Sequence, residues 1–405
     1  PSQYLVFQNK SKIKIDSYWN IEQNDETVIK IADAIDGVKE LLIDSLKIRL
    51  RSDVPLAGFL SGGIDSTLVC SLIKKHFNKD LKSICISFDS DLLDESRYAR
   101  IVSDKIGSSH IDSRYGVKNI NENFNKLINH LDEPFGDYSI FPTSHACRVA
   151  KDAGFTVMMS GDGADEIFGG YSNWYTHYKW VRFKKYKLVN LLSEFFLRFY
   201  NRRGIGILKL LSENGDNFLN NDNISFLKFI NDDFADDVLI GIHEINERFK
   251  RYNIHKYPKN HMHSSLLEFY LPEQVLVKVD RASMYNGIES RTPFLDHRLV
   301  EFVNKIPLRA HYNSGFGKVL LRKILPPNIP AEIRWRQKRG FTPPIGEWFK
   351  SNLQQRIGQS IKNVSSSPFT MNGGDLELIL SNHLNGQDNA HELFKWLMVS
   401  EKFID

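Results

Sequence analysis

A short apolar run that ends in two glycines and continues into a helix constrains the fold of this chain most strongly. Residues 54–60 (VPLAGFL) are continuously apolar, which is typical of a strand buried on both faces of a parallel sheet. Ser61, Gly62 and Gly63 follow and predict a turn, and residues 66–73 have helical character. A strand, a glycine turn and a helix in this order indicate one unit of an α/β fold.

Strand and helix patterns alternate along the first 172 residues. Apolar residues at helical spacing predict one long amphipathic helix over 27–50, and residues 95–106 predict another. Buried strands are predicted at 83–88 (SICISF) and 155–160 (FTVMMS). This alternation predicts an α/β fold, a doubly wound parallel sheet with right-handed crossovers.

The pattern changes after Tyr171. Residues 173–210 are aromatic and basic, and two interpretations stay open: helices with solvated basic faces, or a surface that contacts a partner or lipid. From 265 onward helical patterns dominate, with breaks at the proline-containing segments 325–331 and 342–345. We predict these units: an α/β core at 21–172, a helical basic-aromatic segment at 173–264, and a large C-terminal helical part at 265–405.

Composition excludes several classes of protein. The formal net charge of +4 gives no argument for a nucleic-acid partner, although a polyanion such as ATP could use a local basic cluster. Cys70, Cys85 and Cys147 have apolar neighbours and no CxxC pairing, so we expect buried, reduced thiols. No run of 18 uncharged apolar residues predicts a membrane span, and the first residues lack the plan of a signal peptide, so a cytoplasmic protein is expected.

The glycine turn is suited to bind phosphate. Gly62 and Gly63 let successive backbone N–H groups form a concave nest for an anion, and the helix N-terminus adds partial positive charge. Asp65 would repel a bare polyphosphate, so we interpret it as a ligand of Mg²⁺ that bridges the phosphates. A GxxxxGK[ST] motif is absent, and with it the lysine that serves γ-phosphoryl transfer. The hydroxyl groups available to phosphate oxygens are those of Ser61, Ser66 and Thr67.

A second acidic turn follows the strand predicted at 155–160. Residues 161–166 (GDGADE) contain three carboxylates, Asp162, Asp165 and Glu166. Because ligands collect at the carboxyl ends of strands in open α/β sheets, both turns should face one crevice. Crowded carboxylates repel one another unless a cation lies between them, so we predict one Mg²⁺ shared by Asp65 and Asp165. A helix N-cap with acidic first-turn residues could explain Asp162 or Glu166 singly, but not the whole cluster.

These motifs resemble a known family. SGGxDS[ST] at residues 61–67 resembles the pyrophosphate loop of the N-type ATP pyrophosphatases, which cleave ATP between the α and β phosphates. The resemblance to the synthetase domain of glutamine-hydrolysing asparagine synthetases covers nearly the whole chain and implies an adenine nucleotide α-hydrolase-like fold. The segments that carry it, in the family's order, are 51–67, 132–143, 160–171, 271–284, 289–302, 317–323 and 336–348.

The resemblance implies roles for individual residues. Leu60 and Ile86, with Ser160 and Gly161 opposite them, would frame the adenine and ribose of ATP. Pyrophosphate and Mg²⁺ would be held by Ser61, Gly63, Asp65 and Ser66, with Asp165 completing the metal shell. Asp162 matches a position, commonly glutamate, that the family associates with forming β-aspartyl-AMP, and Lys338 matches a lysine that reaches the phosphates. From its chemistry alone, Lys338 beside Arg336 and Arg339 could equally be part of a solvated basic turn.

The activity implied is ATP-dependent amidation of a carboxylate through an acyl-adenylate, with AMP and pyrophosphate as products and aspartate as acceptor. Alternatives on the same scaffold are amidation of sugar uronic acids in surface polysaccharide synthesis and the lactam- or lasso-peptide-type cyclisations. A non-catalytic module that keeps the fold is a different class, and the intact Ser61, Asp65, Asp165 and Lys338 argue against it. The tRNA-modifying pyrophosphatases would need a larger basic surface, which argues against that class too.

Residues 1–20 resemble the tail of the family's N-terminal glutaminase domain and its junction. That domain begins with a nucleophilic cysteine, whereas the chain as given begins at Pro1 and all its cysteines are internal. We therefore expect no glutamine hydrolysis by the family's route. The nitrogen would come from free ammonia, or from ammonia or another amine delivered by a partner such as a separate glutaminase. A homo-oligomer is possible.

Overall fold

The computed structural model describes residues 2–8, 12–21, 29–77, 80–89, 94–171, 263, 266–313, 315–363 and 373–403. The basic-aromatic segment 173–210 lies outside the described residues, so both interpretations of it stay predictions.

A five-stranded parallel sheet forms the centre of the fold. Its strands are β3 (Leu56–Phe59), β4 (Lys82–Phe88), β5 (Ser109–Tyr115), β6 (Val157–Met159) and β7 (Glu289–Arg291). Their spatial order is β5-β4-β3-β6-β7, and each pair of neighbours is parallel. The predicted α/β class and the three predicted strands are confirmed.

The strand order places a crevice at the centre of the sheet. From β3 the chain moves through β4 to β5 in one direction, and β6 then pairs on the other side of β3. Such a reversal is a topological switch point, where the loops after two adjacent strands separate and leave room for a ligand. The two turns singled out above, after β3 and after β6, both lie there.

Helices cover the sheet on both sides. In the first part of the chain they are α1 (Ile31–Arg49), α2 (Ile64–Phe77), α3 (Ser96–Ile106), α4 (Val117–His130), α5 (Ile140–Asp152) and α6 (Ala164–Phe168). The predicted helices at 27–50, 66–73 and 95–106 correspond to α1, α2 and α3. The first prediction began too early, because α1 begins at Ile31, after Lys30 in an extended conformation.

The C-terminal part is mainly helical, as predicted. It contains a π-helical segment (Leu266–Leu276), a 3₁₀ turn (Pro293–Leu295), and helices α7 (Val277–Tyr285), α8 (His297–Asn304), α9 (Leu308–His311), α10 (Val319–Ile324), α11 (Ala331–Arg334), α12 (Ile345–Phe349), α13 (Gln354–Lys362), α14 (Gly373–Leu384) and α15 (Ala390–Phe403). Among the described residues, every helix is too short or too polar to cross a membrane.

Apolar cores lie on both faces of the sheet. Alternate residues of β4 point in opposite directions: Cys85 joins the core that contains α1 and α2, whereas Ile86 and Phe88 join the core that contains α4 and α15. Both faces are therefore buried, which explains why the central strands are continuously apolar. All three cysteines are buried and free, as predicted.

Three features of the fold were not predicted. The edge strands β5 and β7 are polar, with the sequences SHIDSRY and ESR. Near the N-terminus, β1 (Gln3–Gln8) and β2 (Lys12–Ser17) form a separate antiparallel pair. Neither edge strand has the apolar continuity on which the other strand predictions rest.

Candidate active site

The turn after β3 is closed by its own hydroxyl groups. Ser66 Oγ accepts a hydrogen bond from the Ser61 amide at 3.2 Å and donates to the Gly63 carbonyl at 3.3 Å. Ser61 Oγ lies 3.2 Å from Ser66 Oγ and accepts from the Gly63 amide at 3.3 Å. Two serine hydroxyls thus occupy the donor groups that would otherwise face an anion, and a phosphate would compete with them for the same N–H groups.

Gly62 and Thr67 are the two predicted phosphate-binding residues that do not line the cavity described below. A Cβ on Gly62 would lie 2.5 Å from Tyr98 Cβ, and Gly62 has a φ of +74°, so glycine is needed for this turn to pack against α3. Thr67 is fully buried, and its side chain is not among those that line the cavity described below. Among the described residues its hydroxyl has no hydrogen-bond partner. Their phosphate-binding roles stay predictions.

Two carboxylates and two lysines meet at the switch point. Lys318 Nζ lies 2.5 Å from Asp65 Oδ2 and 2.6 Å from Asp165 Oδ1. Lys338 Nζ lies 2.8 Å from the other oxygen, Oδ2, of Asp165. The predicted meeting of Asp65 and Asp165 is therefore present in the fold. The cation between them is the ammonium group of Lys318, a residue that the sequence analysis did not select.

The charges of this cluster perturb one another. Burial by itself raises the pKa of Asp165, but Lys318 and Lys338 outweigh it and lower the pKa to about 2. Burial raises the pKa of Asp65, against the opposing effect of Lys318. Burial lowers the pKa of Lys338, but Asp165 and Asp65 reverse the shift and hold the pKa above the usual lysine value. Lys338 is thus cationic near neutral pH, as binding of a polyanion requires.

Close backbone contacts hold the cluster together. A Cβ on Gly170 would lie 1.7 Å from Asp165 Oδ1, and one on Gly317 would lie 2.1 Å from the carbonyl oxygen of Gly169. Lys318 itself has a φ of 56°, in the left-handed region that non-glycine residues rarely adopt. Such strain persists only where the surrounding structure imposes it, and it is concentrated at functional sites.

The residues present fit a magnesium ion that is bound jointly with a substrate. Oδ1 of Asp65 is buried and lacks a hydrogen-bond partner among the described residues, so it is available as a metal ligand. Within the same part of the chain, no group of three or more histidine, cysteine, aspartate or glutamate side chains could enclose a metal. Mg²⁺ commonly takes one or two protein carboxylates and completes its shell with water and substrate phosphates, and this site can supply that number.

A cavity of about 620 Å³ extends from this cluster. It is within the usual size range of small-molecule sites. Ser160 donates a hydrogen bond from Oγ to Asp162 Oδ2 at 2.7 Å, which fixes the Asp162 carboxylate at the cavity wall. The structure thus brings most of the predicted site residues to one cavity; those that line it are Leu60, Ser61, Gly63, Asp65, Ser66, Ile86, Ser160, Gly161, Asp162, Asp165 and Lys338.

The cavity is also lined by groups to which the sequence analysis gave no role in the site. Glu166 is buried and accepts a hydrogen bond from the Tyr171 hydroxyl at 2.7 Å. Burial and the neighbouring Asp165 raise the pKa of Glu166. Lys278 Nζ lies 3.5 Å from Asp137 Oδ2, and both side chains are mostly buried. Tyr171, Lys278 and Asp137 lie within the segments that carry the family resemblance, which is the signal that could have selected them.

Comparison with known proteins was consistent with the resemblance. A family model described as asparagine synthase matches residues 37–401. The asparagine synthetase [glutamine-hydrolyzing] 1 of Bacillus subtilis is 26% identical over 368 residues, covering 89% of this chain and 58% of that protein. The amidase chyE of Penicillium rubens is 25% identical over 425 residues, covering 91% of this chain and 62% of that protein.

The chain therefore spans less than two thirds of the length of these relatives. Among solved structures, the NH3-dependent NAD synthetase from Campylobacter jejuni aligns with a TM-score of 0.24 and 13% identity, over 35% of this chain and 61% of that one. At that level of likeness, nothing about fold or function follows.

Proposed function

The chain belongs to the asparagine synthase family, and from this premise we propose that it is an AMP-forming, ATP-dependent carbon–nitrogen ligase. It would activate an acceptor carboxylate, aspartate in the first instance, as an acyl-adenylate and then convert it to the amide. The observation that carries the proposal is the convergence of Asp65, Asp165, Lys318 and Lys338 at the switch point. Two ammonium groups beside a glycine turn are suited to a leaving polyphosphate.

In the first step, an oxygen of the acceptor carboxylate attacks the α-phosphorus of ATP, and the bond to the bridging α–β oxygen breaks. Pyrophosphate leaves with additional negative charge, which Lys318 and Lys338 stabilise by exchanging carboxylate oxygens for phosphate oxygens. Bound Mg²⁺, held by Asp65 and Asp165, would supply Lewis-acid stabilisation of the same oxygens. The amides of the Ser61–Ser66 turn would hold the phosphates in place, and Leu60, Ile86, Ser160 and Gly161 would frame the nucleoside.

In the second step, a neutral amine attacks the acyl carbonyl, and the bond to AMP breaks. The nitrogen must lose a proton during this step, and a base at the cavity wall has to accept it. Glu166 lines the cavity and its pKa is raised, so it is a stronger base than an ordinary carboxylate. Asp162 also lines the cavity and would position the acyl group.

One charged pair in the cavity lining supports aspartate as the acceptor. Lys278 and Asp137 present opposite charges at the cavity wall, with side-chain exposures of 15% and 20%. Aspartate carries one carboxylate and one ammonium group beyond the side-chain carboxylate that reacts, so this pair complements it. We expect wild type to prefer aspartate over succinate, which lacks the ammonium group, and Asp137→Asn to reduce that preference. Equal use of both acids by wild type would contradict this assignment.

The decisive experiment is acid-dependent exchange of labelled pyrophosphate into ATP. It detects the adenylate without requiring the second nitrogen substrate, so it tests the first step alone. Aspartate, uronic-acid sugar nucleotides and peptides should be compared as acceptors. Exchange with none of these acids, in protein shown to bind MgATP, would overturn the proposal.

Variants at the cluster sharpen this test. Lys338→Met should lower the exchange rate by about 10²-fold, the typical effect of losing one transition-state charge contact. Lys350→Met is the matched control, since Lys350 directly follows α12, is partly exposed, and forms its ion pair with the surface residue Glu347 at 3.8 Å. A loss of similar size in both variants would show that Lys338 has no special role.

The nitrogen source is tested separately. AMP release with ammonium should be coupled to amide formation, and a parallel assay with glutamine as sole nitrogen source tests the other donor. Robust use of glutamine would refute the ammonia proposal and leave the adenylation step untouched.

A second candidate is amide formation on another acid. It is favoured by the similarity to a relative named amidase, which is as extensive as that to the asparagine synthetases. The uronic-acid and peptide arms of the exchange assay decide between the two, because the adenylation machinery is common to both.

A further inference from the structure

A single buried arginine connects the segments that carry the two lysines of the site. Arg322 lies in α10 and is 3% exposed. Its guanidinium donates from Nε to the Gly317 carbonyl at 2.8 Å, from Nη1 to the Arg334 carbonyl at 2.5 Å, and from Nη2 to the Arg336 carbonyl at 2.9 Å. All three acceptors are backbone groups: the Gly317 and Arg336 carbonyls belong to two loops that line the active-site cavity, and the Arg334 carbonyl lies at the end of α11.

The bonded carbonyls are adjacent to the lysines. Gly317 directly precedes Lys318, and Arg336 lies two residues before Lys338. Because Nε and Nη2 belong to one planar, rigid group, the distance between these two carbonyls is fixed by the guanidinium itself. One side chain therefore links the backbone beside Lys318 to the backbone two residues before Lys338.

Packing around Arg322 restricts it further. Its guanidinium carbon lies 5.1 Å from the ring centre of Phe316 and 5.8 Å from that of Trp335, one ring from each of the two loops. The rings also contact each other, with centroids 5.5 Å apart. The loop that follows α11 and contains Trp335 and Arg336 has a further set of contacts. The Arg336 side chain pairs with Glu95, and its guanidinium carbon lies 3.9 Å from the ring centre of Tyr98.

We propose that Arg322 is a positioning residue that holds Lys318 and Lys338 at the separation needed to bind one pyrophosphate group. It does not itself contact the reacting atoms; it fixes the two backbones from which the ammonium groups reach Asp165. This inference rests on the proposed function for its kinetic consequences, but its structural part can be measured without activity.

The substitutions follow from the geometry. Arg322→Lys keeps the charge but loses the planar fork, so its single nitrogen cannot hold the three carbonyls in the same fixed arrangement. Arg322→Ala removes the guanidinium group, and methylguanidinium added in solution tests whether that group restores the lost contacts. Arg334→Ala is the matched control, because Arg334 also donates to three backbone carbonyls, those of Arg322, Leu325 and Pro326, but to none in the loops adjacent to the lysines.

The kinetic experiment is pyrophosphate exchange with the full chain. Arg322→Lys should lower kcat by about 10²-fold, the effect of misplacing groups by roughly 1 Å, while the KM for the acceptor acid stays nearly unchanged. Methylguanidinium should raise kcat of Arg322→Ala and leave Arg334→Ala unaffected. Equal losses in the Arg322 and Arg334 variants, or no rescue of Arg322→Ala, would overturn the proposal.

The structural experiment is amide hydrogen exchange of the same variants. Arg322→Lys should speed exchange in segments 315–318 and 335–340 together, whereas Arg334→Ala should affect mainly the end of α10. Unchanged exchange in both segments would overturn the positioning role. Absence of pyrophosphate exchange in wild type would instead overturn the proposed function, and the amide measurement would still decide the role of Arg322.

Discussion

Removing the ammonium group of Lys318 should destabilise the whole molecule, because it is the only cation that contacts Asp65 among the ion pairs of the described residues. The Lys318 side chain is 4% exposed, and that of Asp65 is 16% exposed. In Lys318→Met, Asp165 keeps its contact with Lys338, so the residue left without a counter-ion is Asp65. Breaking a buried ion pair by removing one partner typically costs about 3–5 kcal/mol, and we expect a loss near the lower end of that range.

Two further variants separate charge from backbone strain. Lys318→Gly loses the same ammonium group but relaxes the left-handed backbone, so it should be about 1–2 kcal/mol more stable than Lys318→Met. Adding Asp65→Asn to Lys318→Met removes the unpaired charge and should recover most of the loss. The coupling between the two positions should reach about 2 kcal/mol, within the range measured for contacting pairs.

The assay is urea unfolding followed by tryptophan fluorescence at pH 7 and pH 5. Burial already raises the pKa of Asp65, and loss of Lys318 removes the main opposing effect, so the carboxylate of the variant should take up a proton as the pH falls. A carboxylate with a raised folded-state pKa destabilises the fold at high pH and relieves that destabilisation as it protonates. The deficit of Lys318→Met should therefore be smaller at pH 5. A loss below about 1 kcal/mol at pH 7, or no recovery in the double variant, would refute the counter-ion role, given the cost expected for a broken buried pair.

Three other outcomes are expected. In Gly170→Ala the added Cβ would displace Asp165, so pyrophosphate exchange should fall about tenfold or more, as expected for misplaced catalytic groups. Gly358→Ala is the control that should leave exchange intact, because the space around its added Cβ is open. The thiols of Cys70 and Cys147, whose pKa burial raises to about 12, and that of Cys85 should resist a disulfide reagent at pH 8 until the protein unfolds; fast labelling of native protein would contradict this. Burial and Arg148 lower the pKa of His145 to about 4, below its ordinary 6.5. Because the unfolded chain therefore takes up a proton at this histidine before the folded protein does, the free energy of unfolding should fall as the pH drops from 6.5 toward 4. His145→Gln should make the free energy of unfolding less dependent on pH over this range.

The sequence analysis predicted the three inner strands of the sheet but missed both edge strands. The strands at β3, β4 and β6 are the three inner ones, and each is an apolar run because helices cover both of its faces. The edge strands β5 and β7 carry polar residues, which is the usual composition where one side of a strand meets no further strand. The three residues of β7 form a strand only because β6 offers them backbone partners, and that pairing joins residues more than 130 positions apart.

The same limit applies to the active site. Asp65 and Asp165 could be selected because each follows a predicted strand, and parallel strands place such residues at one edge of the sheet. Lys318 lies between two short helices and itself has a left-handed backbone conformation. No pattern in the neighbouring sequence indicates that its ammonium group contacts two carboxylates from other elements. The crowding of carboxylates led to the prediction of a shared Mg²⁺, which stays a prediction; the cation that the structure places between them is the ammonium group of Lys318.

The strain at Lys318 is informative because its neighbours are arranged to sustain it. Glycine at 170 leaves room for the carboxylate of Asp165, and glycine at 317 lets the turn press against residue 169. The Lys318 amide donates to the Phe168 carbonyl at 3.2 Å, and Arg322 bonds to the carbonyl just before it. An arginine, two glycines and a backbone hydrogen bond thus enforce a conformation that a lysine would otherwise avoid. A backbone conformation that its own residue disfavours is found mainly where function requires it. The left-handed backbone of Lys318 therefore identifies this lysine, rather than the more exposed Lys338, as the one whose position the fold controls more tightly.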